Sequence, residues 1–101
     1  SPGMLARHYA PGTPLCLLEP DEKAPETDAD TGWLCFKPKP GLDGPQEVLS
    51  PGGDLREAAS RLFSCLRKLD HLGLEQIIAW KVPDEGLGCA INDRLTRAAK
   101  K

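Results

Sequence analysis

DLREAASRLFSCLRKLDHLG, residues 54–73, carries apolar side chains at helical spacing along its whole length. At about 100° per residue, Leu55, Ala58, Ala59, Leu62, Phe63, Cys65, Leu66, Leu69 and Leu72 fall in one half-cylinder. Arg56, Glu57, Ser60, Arg61, Ser64, Arg67, Lys68 and His71 fall in the other. The D-x-x-E spacing of Asp54 and Glu57 predicts a reciprocal capping box at the start, and Gly73 predicts the stop. Asp70 breaks the pattern. It projects between Phe63 and Leu66 on the apolar half, at a helix end where the dipole disfavours negative charge.

Outward from this helix the chain reads as an α/β domain. Glu47–Ser50 predicts a short strand entering the helix through a glycine pair. Gln76–Val82 follows the helix, and its unbroken apolar run needs cover on both faces. Pro83 stops that strand, and Leu87–Ala99 predicts a second helix with Leu87, Ala90, Ile91, Leu95 and Ala98 inward. Strand, helix, strand, helix is the order of parallel strands joined by crossovers. Upstream, Leu15–Glu19 (LCLLE) and Trp33–Lys37 (WLCFK) predict two more strands, the first covered on both faces. The acidic stretch between them, PDEKAPETDADTG, has no helical period. Either these two strands pair directly, or a crossover helix has been reduced to a loop. The expected fold is a small, mostly parallel sheet of about four strands with two main helices.

A chain of 101 residues is at most one domain, with a thin stability margin. A net charge of −2 disfavours a general polyanion binder. Cys16, Cys35, Cys65 and Cys89 are widely spaced, without a C-x-x-C pair or a histidine at ligand spacing, so no metal site is expected. Each thiol has apolar neighbours, and the expectation is four buried thiols in a reducing compartment. No apolar run approaches membrane-spanning length and no signal segment opens the chain, which places it in the cytoplasm.

Chemistry-bearing patterns are few. Neither His8 nor His71 has a neighbouring nucleophile in a recognisable setting. The glycine turns SPGGD and DEGLG lack a phosphate-binding fingerprint, and Asp54, Asp84 and Glu85 at the helix starts would repel phosphate. The acidic stretch lacks the order of ligands of a calcium loop. Arg56, Arg61, Arg67 and Lys68 gather on the first helix, and Arg97, Lys100 and Lys101 at the C-terminus. Solvated helix faces account for them, with RNA contact as the alternative. Arg94 is a second exception to the apolar pattern, on the inward side of the last helix. Because unpaired buried charges are strongly disfavoured, Asp70 and Arg94 are expected to form a structural ion pair.

Residues 1–14, SPGMLARHYAPGTP, have no sustained apolar period and read as an extended arm ahead of a domain at 15–101. SPGMLARHYAP resembles the linker motif of the two-domain threonylcarbamoyl-AMP synthases. AASRLFSCLRKLDHLG and DEGLGCAINDRLTRAA resemble the ending of the same family's C-terminal domain, while residues 20–46 match little. The resemblance implies a small Rossmann-like accessory domain. Its parent enzyme would convert L-threonine, bicarbonate and ATP, with magnesium, to threonylcarbamoyl-AMP and pyrophosphate for tRNA modification. In that family the chemistry belongs to a YrdC-type catalytic domain, which these residues do not include, so the implied role is non-catalytic and needs no cofactor of its own. Arg7, His8 and Tyr9 are carried over as linker contacts to the nucleotide end of the catalytic cleft. A cation and two donors suit phosphate oxygens, and an ordered strap would exclude water from a labile intermediate. The alternative is a tRNA-binding module using the basic helix face.

Overall fold

The computed structural model describes residues 11–99. Its elements are β1 (Leu15–Leu18), β2 (Thr31–Cys35), β3 (Gln46–Val48), α1 (Leu55–Asp70), β4 (Gln76–Trp80) and α2 (Leu87–Ala99). The four strands form one sheet in the order β1-β4-β2-β3, and every pairing is parallel. Leu15 lies opposite Ile77, Trp33 opposite Ile78, and Leu34 opposite Glu47.

Alternation along the strands divides the core between the two faces of the sheet. On one face Leu34, Ile77 and Ala79 pack with Leu62, Leu66 and Leu69 of α1 and Ile91 and Leu95 of α2. These leucines are at most 1% exposed, and each such burial contributes about 1.5–3 kcal/mol. On the other face Leu18, Trp33, Cys35, Ile78 and Trp80 form a second cluster. The Trp33 and Trp80 rings stack with centroids 5.8 Å apart.

Loops cover this second face. Trp80 Nε1 donates to the Glu22 carbonyl at 2.7 Å, and Trp33 Nε1 donates to the Asp43 carbonyl at 3.1 Å. Lys39 Nζ lies 4.7 Å from the Trp80 ring centroid. The first of these loops is the acidic stretch, which carries the chain from β1 to β2 while β4 lies between them. Of the two alternatives for this connection, the structure has the loop in the place of a crossover helix. Gln76 holds the end of the loop by donating to the hydroxyls of Thr27 and Thr31.

Three local expectations are corrected. β1 is an edge strand, paired only with β4, and Cys16 is exposed, so the strand is not covered on both faces. Cys89 is exposed as well, so two of the four free thiols are buried, Cys35 and Cys65. α2 is also turned from its expected orientation: Gly88, Ile91, Asn92, Leu95 and Ala98 are buried, whereas Leu87, Ala90 and Arg94 are exposed. Two contacts set this rotation. Asn92 bonds the backbone of Val82, and Gly88 approaches the Pro83 carbonyl so closely that a Cβ would collide with it.

Candidate functional site

The arm joins the domain at residues 11–14. Pro11, Thr13 and Leu15 are buried while Gly12 and Pro14 are exposed, so the inward alternation of β1 begins four residues before the strand itself. The Pro14 carbonyl accepts the Ile77 amide at 2.8 Å. Beyond that point the partner is Asp70. One carboxylate oxygen of Asp70 accepts the Thr13 amide at 2.9 Å and the Thr13 hydroxyl at 2.8 Å. The other accepts the Gly12 amide at 3.3 Å.

This geometry replaces the expected ion pair between Asp70 and Arg94. The ion pairs between described residues are Lys81–Glu19 at 3.1 Å and Arg97–Asp93 at 3.2 Å. Asp70 faces the arm, and Arg94 lies with its guanidinium carbon 5.0 Å from the Phe63 ring centroid. The physical reason is the rotation of α2, which carries Arg94 to the surface, where stacking on an aromatic face and water together solvate it. Arg7, His8 and Tyr9 lie outside the described residues.

The capping of α1 is also relayed rather than reciprocal. Asp54 accepts the Arg56 amide at 2.9 Å as expected. Glu57 instead accepts the buried Ser50 hydroxyl at 2.7 Å, and Ser50 Oγ accepts the Asp54 amide at 2.7 Å. At α2 the turn closes on itself through Gly88 N–H to Glu85 C=O and Cys89 N–H to Gly86 C=O. Both helix starts are thus engaged by the chain's own groups and carboxylates. The end of α1 falls at Asp70, with Gly73 in the left-handed region at φ 70° reversing the chain toward β4.

Arg56, Arg67 and Lys68 are exposed on α1 and Arg61 is half-buried. They do not form one patch: around the helix Arg56 and Arg67 project roughly 120° away from Arg61 and Lys68. A shallow cavity of about 360 Å³ opens beside the starts of β2 and β3, lined in part by Asp28, Asp30, Thr31, Asp43 and Leu74. Its carboxylates are unsuited to phosphate, and it lies away from the carboxyl ends of the strands, where parallel sheets commonly place ligands. Among the described residues no group of three or more His, Cys, Asp or Glu side chains is disposed to hold a metal ion.

Cys35, Cys65 and Cys89 are all shifted away from activation. Burial, partly offset by Lys39, pushes Cys35 up to about 11. Burial, with Glu47 adding to it, also raises Cys65. A hydrogen bond to Asp84 is the main cause that raises Cys89. A raised thiol is a poor nucleophile near neutral pH. Among the described residues no helix is long and apolar enough to cross a membrane.

The residue types of Gly12 and Thr13 do not by themselves mark them as functional. The available signal was Asp70 itself, whose place at a helix end demanded a partner without specifying which. Over residues 1–100 the chain matches the family described as Threonylcarbamoyl-AMP synthase, C-terminal domain. It is 33% identical over 107 aligned positions to a threonylcarbamoyl-AMP synthase of Pyrococcus abyssi (strain GE5 / Orsay). It is 35% identical over 109 positions to one of Bacillus subtilis (strain 168). In each comparison 98% of this chain is covered but only 32% of the relative, so the chain spans about a third of the length of these enzymes.

Proposed function

Because this chain belongs to the family of threonylcarbamoyl-AMP synthase C-terminal domains, we propose that it is the linker and accessory domain of such an enzyme. In this reading its arm acts on a separate YrdC-type catalytic domain. The parent reaction joins L-threonine, bicarbonate and ATP, with magnesium, into threonylcarbamoyl-AMP and pyrophosphate, supplying tRNA threonylcarbamoyladenosine. The arm crosses the catalytic cleft, with Arg7, His8 and Tyr9 toward the nucleotide, and helps to close it against water.

The observation that carries this reading is the clamped base of the arm: Gly12 and Thr13 bonded to Asp70, with Pro11 and Thr13 buried. A segment that must span a cleft works best when its far end is fixed. The described residues do not themselves fit ATP or magnesium. The Asp54 and Arg56 amides at the start of α1 are already engaged, acidic groups stand beside both helix starts, and among the described residues no set of metal ligands is gathered.

The test is conversion of ATP to pyrophosphate with threonine and bicarbonate. The 101-residue chain alone is expected to show no turnover, and the catalytic domain joined to it should exceed the catalytic domain by itself. Turnover by the chain alone would overturn the assignment. The second reading, tRNA binding through Arg56, Arg61, Arg67 and Lys68, is weaker, because Asp54 and Glu57 stand on the same helix and the cations are divided. It requires affinity that falls steeply between about 50 and 200 mM salt.

A further inference from the structure

Asp70 is chemically out of place in the last turn of α1, facing the negative end of the helix dipole. What it gains there is the arm. Three donors from two consecutive residues converge on its carboxylate, two on one oxygen and one on the other. They lie 57 and 58 residues away in sequence, so the contact is tertiary and not a local turn. Pro11 has no amide to offer a neighbouring strand, and the parallel ladder with β4 begins only at Leu15 opposite Ile77. Between the start of the ladder and the arm, Asp70 therefore replaces strand pairing as the attachment.

We propose that Asp70 is the positioning residue of the arm: by gripping Gly12 and Thr13 it sets where, and in which direction, the segment carrying Arg7, His8 and Tyr9 leaves the domain. The inference rests on the cleft-contacting role given to that segment above. Fixed at Gly12, Arg7 has five residues of reach, at most about 18 Å. Released from Asp70, the next attachment is the bond from the Ile77 amide to the Pro14 carbonyl, and the span from there to Arg7 lengthens to seven residues. Effective concentration at a fixed target falls roughly as the −3/2 power of length, so added slack alone costs about 1.7-fold, before any loss of direction.

Two measurements test this. In the isolated chain, Asp70→Asn puts an amide donor where an acceptor is needed, and Thr13→Val removes one donor at nearly constant volume. Amide hydrogen exchange at Thr13 should accelerate about tenfold or more in Asp70→Asn while Ile77 and Leu34 keep their protection. Ser64→Ala, on the exposed face of α1, is the control.

In a two-domain chain carrying this segment behind a catalytic domain, Asp70→Asn and Thr13→Val should raise the KM for ATP about two- to tenfold. kcat should change less and Tm little, and Ser64→Ala should behave as wild type. Unchanged exchange at Thr13 in both Asp70→Asn and Thr13→Val overturns the proposal, as does an unchanged KM in an active two-domain chain. If Asp70→Asn fails to fold, Thr13→Val carries both measurements. An inactive wild-type two-domain chain would instead count against the proposed function, and the exchange data would still decide whether Asp70 grips the arm.

Discussion

The Asn92 carboxamide is bonded to both backbone groups of Val82, accepting its amide and donating to its carbonyl, each at 2.9 Å. This two-point bridge fastens α2 to the segment just beyond β4 in the way a neighbouring strand would. Asn92→Ala leaves a buried N–H and a buried C=O without partners. Destabilisation of about 2–4 kcal/mol is expected in urea unfolding. Asn92→Asp restores one acceptor but removes the donor, and should not rescue the loss at neutral pH. Gly88→Ala, which drives a Cβ into the Pro83 carbonyl, should cost about 1–3 kcal/mol in the same assay.

Ser50 links the turn before α1 to the first turn of the helix through Glu57 and the Asp54 amide. Ser50→Ala is expected to cost about 1–2 kcal/mol, close to the loss of an N-cap. Glu57→Gln should cost less. A double-mutant cycle should give a coupling of about 0.5 kcal/mol or more, because both changes disrupt the same relay. Strict additivity would mean that the two residues act separately.

The thiols make an alkaline prediction with a defined sign. Cys35 rises from 9.0 to about 11 on folding because burial disfavours its thiolate. Below pH 9 both states hold the proton and the group makes no difference to the pH dependence. Between pH 9 and 11 the unfolded chain releases the proton while the folded chain retains it, so stability falls, by about 2–3 kcal/mol at most. Cys35→Ala should flatten that fall in denaturant titrations across this window. Under native conditions the exposed Cys16 and Cys89 should be reached by a thiol reagent, Cys89 slowly because its bond to Asp84 raises it, whereas Cys35 and Cys65 react only on unfolding.

Trp80 ties the acidic loop to the sheet through the Glu22 carbonyl. Trp80→Phe keeps an aromatic ring near Trp33 but removes the indole donor. Under conditions where both proteins stay folded, trypsin should then cleave after the exposed Lys23 about tenfold faster than in wild type, while the smaller buried ring also lowers global stability. An unchanged cleavage rate would show that other contacts hold the loop.

Much of the architecture was legible because local chemistry specified it. α1 has a strong apolar stripe with an acceptor at its start, and β4 has an apolar run that must be covered on both faces. Leu87–Ala99 was readable as a helix in its full extent, but its orientation was not. Leu87 and Ala90 fit an inward stripe as well as Gly88 and Asn92 do. The choice was made by backbone groups of Val82 and Pro83 that no helical periodicity contains. The same rotation undid the pairing of Asp70 with Arg94: the two exceptions were real, but each had found its own partner.

Periodicity, punctuation by proline and glycine, and the linker-like opening were enough to identify the elements, the parallel α/β class and the family resemblance, because these follow from side-chain types a few residues apart. Strand order, the loop crossover beneath Trp80 and the grip of Asp70 on Gly12 and Thr13 depended on contacts across tens of residues. For those, similar local patterns were compatible with several partners, and close packing of the sheet between its helices and loops selected one.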